Sequence, residues 1–449
     1  MSKLSLPFAM PAVQPPTFPD RVFDVRAFGA TGDGTGMNTQ AFRKAVGACH
    51  GEGGGIVLIP AGTWQTGPIH LRSNVHLHLE AGAVLKFSRR FADYLPVVFT
   101  RWEGIECYNY SPLIYARNCE NVAVTGEGTL DGQGEAWWHW KKLQQEAAKT
   151  LYDAESDGVP VEARVYGTEE AALRPQFLQA VQCSNVLVEG VTFVSGPMWT
   201  VHPVYCENVL IRGITVNSTG PNTDGLNPDS CRNVLVENCS FSTGDDCVAI
   251  NSGMNEDGWR VGRPCENIVI RNCHMSEGHG AVAIGSGMSG GVRNVYVHDC
   301  HFTGGDQGIR LKSMRGRGGV VENVHFENIR MANLRREAIV LNMFYGSSTA
   351  ASRSDAAPAF RNIHVKNVTC EGAGVAVLLR GLPEQPIDGV ILEDLHLNAV
   401  EGIRCQHVDD LTLNNVSGIV EKEPILSCSD VRGLNVTNMT LESTKRRPD

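Results

Sequence analysis

A short phrase of alternating apolar and polar residues recurs along the chain. Each copy begins with Asn followed by Val or Ile and places apolar side chains at every second position over four to five residues. Such alternation is typical of β-strands, whereas an amphipathic helix repeats its apolar positions every three to four residues. The clearest copies begin 23 to 39 residues apart, at Asn185, Asn208, Asn233, Asn267, Asn294, Asn323 and Asn362.

Short strands at this period, joined by glycine-rich turns, predict a parallel β-helix whose coils stack about 4.8 Å apart. We therefore expect an all-β fold in which residues 23–449 form one solenoid domain after an N-terminal extension at residues 1–22. Two segments interrupt the repeat, near residues 88–118 and 132–176. Insertions of this kind commonly lie on one face of a solenoid and build a binding site there.

Helices are predicted only outside the repeat. The second insertion contains AWWHWKKLQQEAAKTL, which predicts a helix carried on a long loop. The stretch from Thr39 to His50 predicts a helix that caps the end of the solenoid. Its apolar residues fall on one helical face: Phe42, Ala45, Val46 and Cys49.

The composition fits a solenoid with many turns and stacked positions. Gly accounts for 48 of the 449 residues, and the 14 cysteines include no CxxC pair of the kind that binds zinc or acts in redox chemistry. We predict buried core thiols rather than disulfides or metal ligands, and no cofactor. Cys405 and Cys428 occupy a position similar to that of the five cysteines that precede a repeat as Cys-x-Asn: Cys119, Cys183, Cys206, Cys231 and Cys265.

Charge and hydropathy exclude several classes of partner. The net charge is -10, and no basic run resembles a nucleic-acid-binding stripe. No apolar stretch approaches the ~18–20 residues of a membrane-spanning helix. Four prolines interrupt the first sixteen residues: Pro7, Pro11, Pro15 and Pro16. We therefore expect no signal peptide and a cytoplasmic location.

Aligning the repeats from their leading Asn brings chemically active residues to neighbouring coils. Asp245, His279 and Asp306 each lie twelve places after the leading Asn of their repeat. Asp246 follows directly, and Asp224 closes the PNTD motif one coil earlier. Three coil spacings cover about 14–15 Å, so this face predicts a groove long enough for two or three sugar units.

The types of residue in this groove point to glycoside hydrolysis. A lone Asp in such a turn is more often a turn former, but carboxylates on adjacent coils raise one another's pKa. Hydrolysis of a glycosidic bond needs one carboxylic acid to protonate the leaving oxygen and one carboxylate to activate water. Arg310 and Lys312, one coil beyond His279, suit a substrate that has its own carboxylate.

Four motifs resemble the signatures of the polygalacturonases, a family of pectin-degrading glycoside hydrolases. They are NTDG at residues 222–225, GDD at 244–246, GHG at 278–280 and RLK at 310–312. The resemblance extends from about Phe23 to the last repeats. It implies a right-handed parallel β-helix of the pectin-lyase type. It also implies inverting hydrolysis of α-1,4-galacturonosyl bonds, without a metal, in polygalacturonate or oligogalacturonates derived from pectin.

The resemblance also implies a role for each matching residue. Asp245 corresponds to the general acid, and Asp224 with Asp246 to the pair that activates water. His279 corresponds to a residue that supports the acid. The substrate-binding positions are Asn222, which orients its neighbours, Arg310 and Lys312, which bind the galacturonate carboxylate, and Tyr345 in LNMFYG, which contacts the sugar.

Further segments are similar to those of bacterial exo-acting members of the family. These are RWEGIECYNYSP, AWWHW and PMWTVHP. Tryptophan-rich insertions could close one end of the groove, so that the enzyme removes galacturonic acid from chain ends. Trp199 and His202 are the candidate pocket residues, although Trp199 is equally compatible with a core position.

Three alternatives remain at the level of sequence. A hydrolase of rhamnogalacturonan or xylogalacturonan would share the fold, but Arg310 and Lys312 favour a uronate at the cleaved bond. A calcium-dependent pectate lyase would use the acids as metal ligands and form an unsaturated product. A non-catalytic glycan-binding β-helix would hydrolyse nothing.

Overall fold

Parallel strands stack in ladders along the chain, as the repeat predicts. The computed structural model describes residues 6–346 and 356–444. The first five residues of the predicted extension, and residues 347–355 and 445–449 of the predicted solenoid, lie outside the described residues. Within the described part, every helix is too short or too polar to cross a membrane.

The chain forms two compact units, residues 11–245 and residues 246–444 together with residues 6–10. In each unit, equivalent strands of successive coils pair in parallel. The expected all-β, parallel β-helix fold is therefore confirmed.

Three ladders of parallel strands build the unit of residues 11–245. The ladder that carries the leading asparagines comprises Val22–Asp24, Gly55–Ile59, Val75–Leu79, Glu120–Gly126, Ser184–Glu189, Glu207–Arg212 and Arg232–Glu237. The second comprises Asp33–Met37, Gly62–Thr66, Ala83–Phe87, Thr129–Asp131, Thr192–Val194, Thr215–Ser218 and Ser240–Thr243. The third comprises Ile69–His70, Ile114–Arg117, Leu178–Val181 and Val201–Val204.

The predicted cap of this unit is confirmed as a helix, Thr39–Gly51, with its expected apolar face buried. Three short 3-10 helices complete the unit: Val25–Phe28, Phe91–Tyr94 and Val161–Ala163.

Both insertions adopt regular structure in this unit. The first contains an antiparallel hairpin, Val98–Trp102 with Ile105–Asn109. The second forms three short helices where the sequence predicts one: Glu135–Trp138, Trp140–Leu143 and Gln145–Ser156. Trp137 and Trp140 of these helices pack against Phe91 of the first insertion, with ring centroids 4.6 Å and 4.2 Å from that of Phe91. The two insertions thus share an aromatic core.

Two ladders build the unit of residues 246–444. One comprises Cys265–Arg271, Val292–Thr303, Val320–Ala332, Ala359–Glu371, Ile387–Asn398, Glu401–Val420 and Asn435–Ser443, with His274–Glu277 paired to the second of these. The other comprises Val248–Ile250, Gly280–Ile284, Gln307–Lys312, Glu337–Asn342, Val375–Arg380, the start of Glu401–Val420, and Leu426–Arg432. A helix, Asn255–Val261, follows the first strand of this ladder.

The leading asparagines form a ladder of their own. They adopt the left-handed conformation, with φ of 56° at Asn185, 57° at Asn208 and 58° at Asn233. The side-chain amide of each donates to the side-chain oxygen of the previous one, at 3.3 Å for both of these steps. Asn tolerates positive φ better than other residues with a Cβ. The turn residue therefore also fixes the register between coils.

The cysteines stack as predicted. None of the 14 forms a disulfide, and all but Cys428 are buried. The Cys206 and Cys231 thiols donate to backbone carbonyls of the preceding coil, those of Ala180 and Pro203, both at 3.2 Å. Cys428 pairs in register with Cys405 but remains exposed, because its strand pairs with one neighbour only among the described strands.

Substituting Asn208 tests the ladder. Asn208→Ala removes two inter-coil hydrogen bonds and places an unsuitable residue at positive φ, so we expect a loss of about 2–3 kcal/mol in the free energy of unfolding. Asn208→Gly loses the bonds but tolerates the backbone, so we expect a loss of about 1 kcal/mol. Urea unfolding of the full chain measures both. Equal losses would show that the backbone conformation contributes nothing.

Candidate active site

Asp224 lies in the turn that follows the strand Thr215–Ser218. Its side chain is buried, and its Oδ2 accepts a hydrogen bond of 3.0 Å from Nδ2 of Asn227. Its backbone carbonyl accepts from the amide of Thr200 at 2.8 Å, which ties the turn to the neighbouring coil. The structure therefore holds this carboxylate in one orientation.

Asp245 lies one coil further along, just after the strand Ser240–Thr243. It is partly exposed, and the Thr243 hydroxyl donates to its backbone carbonyl at 2.7 Å. Asn222 Nδ2 donates to Asp245 Oδ2 at 3.3 Å. A carboxylate oxygen of Asp224 lies within 4.8 Å of one of Asp245. A water molecule can span that gap with a hydrogen bond to each.

The sequence did not predict Arg174, which lies behind Asn222. Its guanidinium is fully buried and donates to Asn222 Oδ1 at 2.7 Å. Burial lowers the pKa of Arg174 to about 10, against the smaller opposing effect of the Glu103 and Asp245 charges. Arg174 belongs to the second insertion, where no repeat marks its position, so the sequence carries no signal for it.

In the unit of residues 246–444, Asp246 is buried between two cations. Arg310 Nη1 and Lys312 Nζ each lie 2.7 Å from a different oxygen of its carboxylate. Both cations come from the strand Gln307–Lys312, in which Leu311 points to the core. The sequence placed these residues on one face but did not predict that the cations bind this carboxylate. Charge compensation of this kind is what a buried carboxylate requires.

Gly280 makes this packing possible. A Cβ at Gly280 would lie 2.8 Å from Asp246 Oδ1 and 2.9 Å from Arg310 Cδ, closer than such atoms approach. The second glycine of the GHG motif is therefore a steric requirement of the ion pair. His279, the residue before it, is exposed in the turn that leads into the strand Gly280–Ile284.

Tyr345 lies beside the same two cations. The centroid of its ring is 5.1 Å from Lys312 Nζ and 5.8 Å from Arg310 Cζ. An aromatic face at this distance stabilises cations and offers a flat surface for a sugar ring. The structure thus brings Tyr345 together with Arg310 and Lys312.

His202, a candidate pocket residue by sequence, is fully buried in the structure. Its side chain is 0% exposed, with Gln179 Nε2 at 3.0 Å from its Nδ1 and Asp229 Oδ2 at 3.5 Å from its Nε2. Burial lowers the pKa of His202. The first insertion covers this position, since its buried Arg101 binds Asp229 Oδ1 at 2.9 Å. Trp199 is partly exposed and packs its ring edge-on to His202, 4.8 Å between centroids.

Trp138 of the second insertion covers the turn that carries Asn222 and Asp224. Its indole Nε1 donates to the carbonyl of Gly196 at 3.0 Å. Its ring lies so close to Gly220 that a Cβ there would be 2.1 Å from Cε2 of the indole. From the sequence, AWWHW belongs to an insertion that could close one end of the groove. In the structure, Trp138 is the residue of this segment that contacts the turn carrying Asn222 and Asp224.

Comparison with known proteins identifies relatives of this chain. Residues 162–417 match the model of a family described as glycosyl hydrolases family 28. A probable polygalacturonase from Vitis vinifera is 34% identical over 83% of this chain and 74% of its own length. An endo-polygalacturonase from Pectobacterium carotovorum is 28% identical over 78% of this chain and 82% of its own length. The crystal structure of a hyperthermoactive exopolygalacturonase from Thermotoga maritima has a TM-score of 0.84 and 39% identity, covering 96% of this chain and 93% of that one.

Gly280→Ala tests the steric requirement at the ion pair. The added methyl group must displace the Asp246 carboxylate or the Arg310 side chain, so we expect a loss of about 1–3 kcal/mol in the free energy of unfolding. The matched control is Gly47→Ala in the helix Thr39–Gly51, where a Cβ meets nothing within 4 Å. That change should stabilise the protein by about 0.5–1 kcal/mol. Denaturant unfolding measures both, and an unaffected Gly280→Ala variant would contradict the close packing.

Proposed function

This chain belongs to glycosyl hydrolase family 28, and we propose that it hydrolyses α-1,4-galacturonosyl bonds in polygalacturonate or oligogalacturonates. The observation that carries the proposal is the contrast between two consecutive carboxylates. Asp246 is buried and contacts two cations, whereas Asp245 is partly exposed and accepts from an amide. Carboxylates in different environments take different roles, and acid–base hydrolysis needs two roles.

In the proposed reaction, Asp245 is the general acid. It donates its proton to the glycosidic oxygen as the bond from that oxygen to the anomeric carbon breaks. Water attacks the anomeric carbon from the opposite face and gives its proton to the Asp224 or Asp246 carboxylate, which inverts the configuration. Oxygens of Asp224 and Asp245 lie within 4.8 Å, so one water molecule can contact both. This is closer than the separation of about 6.5–9.5 Å common in inverting enzymes, so inversion is proposed from the family resemblance and not from this distance. His279, exposed in its turn, is assigned to supporting the acid.

The substrate carboxylate is assigned to Arg310 and Lys312. Their side chains keep 12% and 10% of their surface exposed while they compensate Asp246. Guanidinium and ammonium groups bind carboxylates through charge-assisted hydrogen bonds. Tyr345, whose ring flanks both, is assigned to the sugar face.

We infer exo action, with galacturonic acid as the product. The inference is supported by two insertions anchored by buried arginines, Arg101 and Arg174, and by Trp138 above the turn that carries Asp224. Walls of this kind favour a pocket for chain ends over an open cleft. Trp199 is assigned to the edge of this pocket, and the buried His202 to support behind it.

Asp245→Asn tests the general acid. The amide cannot donate a proton at the required acidity, so kcat on trigalacturonate should fall at least about 100-fold while substrate binding persists. The matched control is Asp306→Asn, at the same place in its own repeat but paired with Arg335 at 2.6 Å. That variant should keep its activity. Unchanged turnover in Asp245→Asn would overturn the assignment of the acid.

Product analysis tests the reaction and its mode. On polygalacturonate, exo hydrolysis should release galacturonic acid alone from the first time point, whereas endo hydrolysis would release a range of oligomers. Proton NMR of the first product should show the β-anomer, because inversion converts the α-linkage. An ultraviolet-absorbing unsaturated product would identify a lyase instead, and cleavage restricted to rhamnogalacturonan or xylogalacturonan would assign another substrate.

A further inference from the structure

Arg174 is a buried cation of the second insertion. Its guanidinium donates to Asn222, the residue whose amide donates to the proposed general acid, Asp245. Nε donates to Gln144 Oε1 at 3.0 Å, Nη1 to the carbonyls of Pro197 and Pro221 at 3.1 and 2.6 Å, and Nη2 to Asn222 Oδ1 at 2.7 Å. All four acceptors are uncharged. A planar guanidinium with this many bonds has one orientation.

We propose that Arg174 is a positioning residue that fixes the direction of the Asn222 amide and thereby selects the oxygen of Asp245 that carries the catalytic proton. The proposal rests on the proposed function of Asp245 as general acid. It adds a role for the 132–176 insertion beyond shaping the substrate pocket.

The first step concerns the amide. A guanidinium has donors and no acceptor, so the atom of Asn222 that faces Arg174 must be the carbonyl oxygen. The NH₂ group then occupies the other branch of the amide, 3.3 Å from Asp245 Oδ2. Without this donor, either end of an Asn amide could face the carboxyl group. Arg174 therefore makes Asn222 a donor to Asp245.

The second step concerns the carboxyl group. An oxygen that accepts from Asn222 Nδ2 cannot also direct its own hydrogen toward that donor. The carbonyl oxygen of a protonated carboxyl group is also the better acceptor, so the bond from Asn222 Nδ2 to Oδ2 favours the form with the hydrogen on Oδ1. In the proposal, Oδ1 is the atom that delivers the proton to the glycosidic oxygen. After transfer, Oδ2 already has a donor for the new negative charge. The acid is thus oriented before the substrate arrives.

Leaving-group dependence separates positioning of the acid from general damage. Trigalacturonate needs protonation of its leaving oxygen, whereas nitrophenol leaves from a nitrophenyl α-galacturonide with little help. On trigalacturonate, Arg174→Met should lower kcat about 10–100-fold and change KM less than about threefold. On the nitrophenyl α-galacturonide, it should lower kcat less than about threefold. Arg174→Lys, which keeps a donor, should recover part of the loss.

A double-mutant cycle tests the route of the effect. Asn222→Ala should show the same selective loss, and Arg174→Met with Asn222→Ala should be no worse than Asn222→Ala alone, because both act on one bond. The matched control is Arg164→Met in the same insertion. Arg164 is also buried but donates to the carbonyls of Val159 and Glu106, at 2.8 and 3.3 Å. It should lose activity on both substrates equally or on neither.

Each outcome decides between specific alternatives. Equal losses on both substrates in Arg174→Met, or losses that add in the double variant, would reduce Arg174 to a structural residue. If Arg174→Met does not fold, Asn222→Ala decides: a loss independent of the leaving group overturns the proposal. Full activity of Asp245→Asn would instead overturn the proposed function. Inactive Asp245→Asn with fully active Arg174→Met would overturn this inference alone.

Discussion

The left-handed asparagine at the start of each repeat is the constraint on which the coils depend. A residue with a Cβ resists this conformation by about 1–2 kcal/mol, and Asn offsets part of that cost through local hydrogen bonds. Here the amide also bonds to the equivalent amide of the next coil, as between Asn185 and Asn208. Fixed register at the start of a coil places neighbouring coils side by side. Asn222 and Asp245 lie on the coils that begin with Asn208 and Asn233, and their side chains meet at 3.3 Å.

The features that follow the repeat were predictable from the sequence, because they depend on local alternation and on stacking. The strands, the capping helix and the buried cysteines are examples. The common face of Asp224 and Asn222 with Asp245 is another, since the PNTD motif lies on the coil before Asp245. The pairing of Asp246 with Arg310 and Lys312 escaped prediction within the repeat. Arg174 escaped it in an insertion, where no period relates one residue to the next. It reaches Asn222 across 48 residues, and the sequence marks only the Asn222 end of that contact.

A buried arginine of each insertion contacts the neighbouring coils, Arg101 in the first insertion and Arg174 in the second. The two arginines differ in how their charge is compensated. Arg101 binds a carboxylate, that of Asp229, in a fully buried pair. This arrangement also encloses His202, which the sequence names as a candidate pocket residue. Arg174 bonds to neutral acceptors only, so its charge is not consumed by a direct ion pair. A buried cation without a direct counter-ion is costly, and here the more distant Glu103 and Asp245 stabilise it.

A net charge of -10 is compatible with binding an anionic polymer, the substrate class of the proposed function. Overall charge acts at long range, where salt screens it within about 8–10 Å, whereas recognition depends on the groups in contact. Arg310 and Lys312 both contact Asp246, because a buried carboxylate is stable only with such partners. Two cations around one carboxylate leave a local surplus of one positive charge. The buried Asp246 thus holds two cations together, and under the proposed function the same cluster serves both the water-activating pair and the substrate carboxylate.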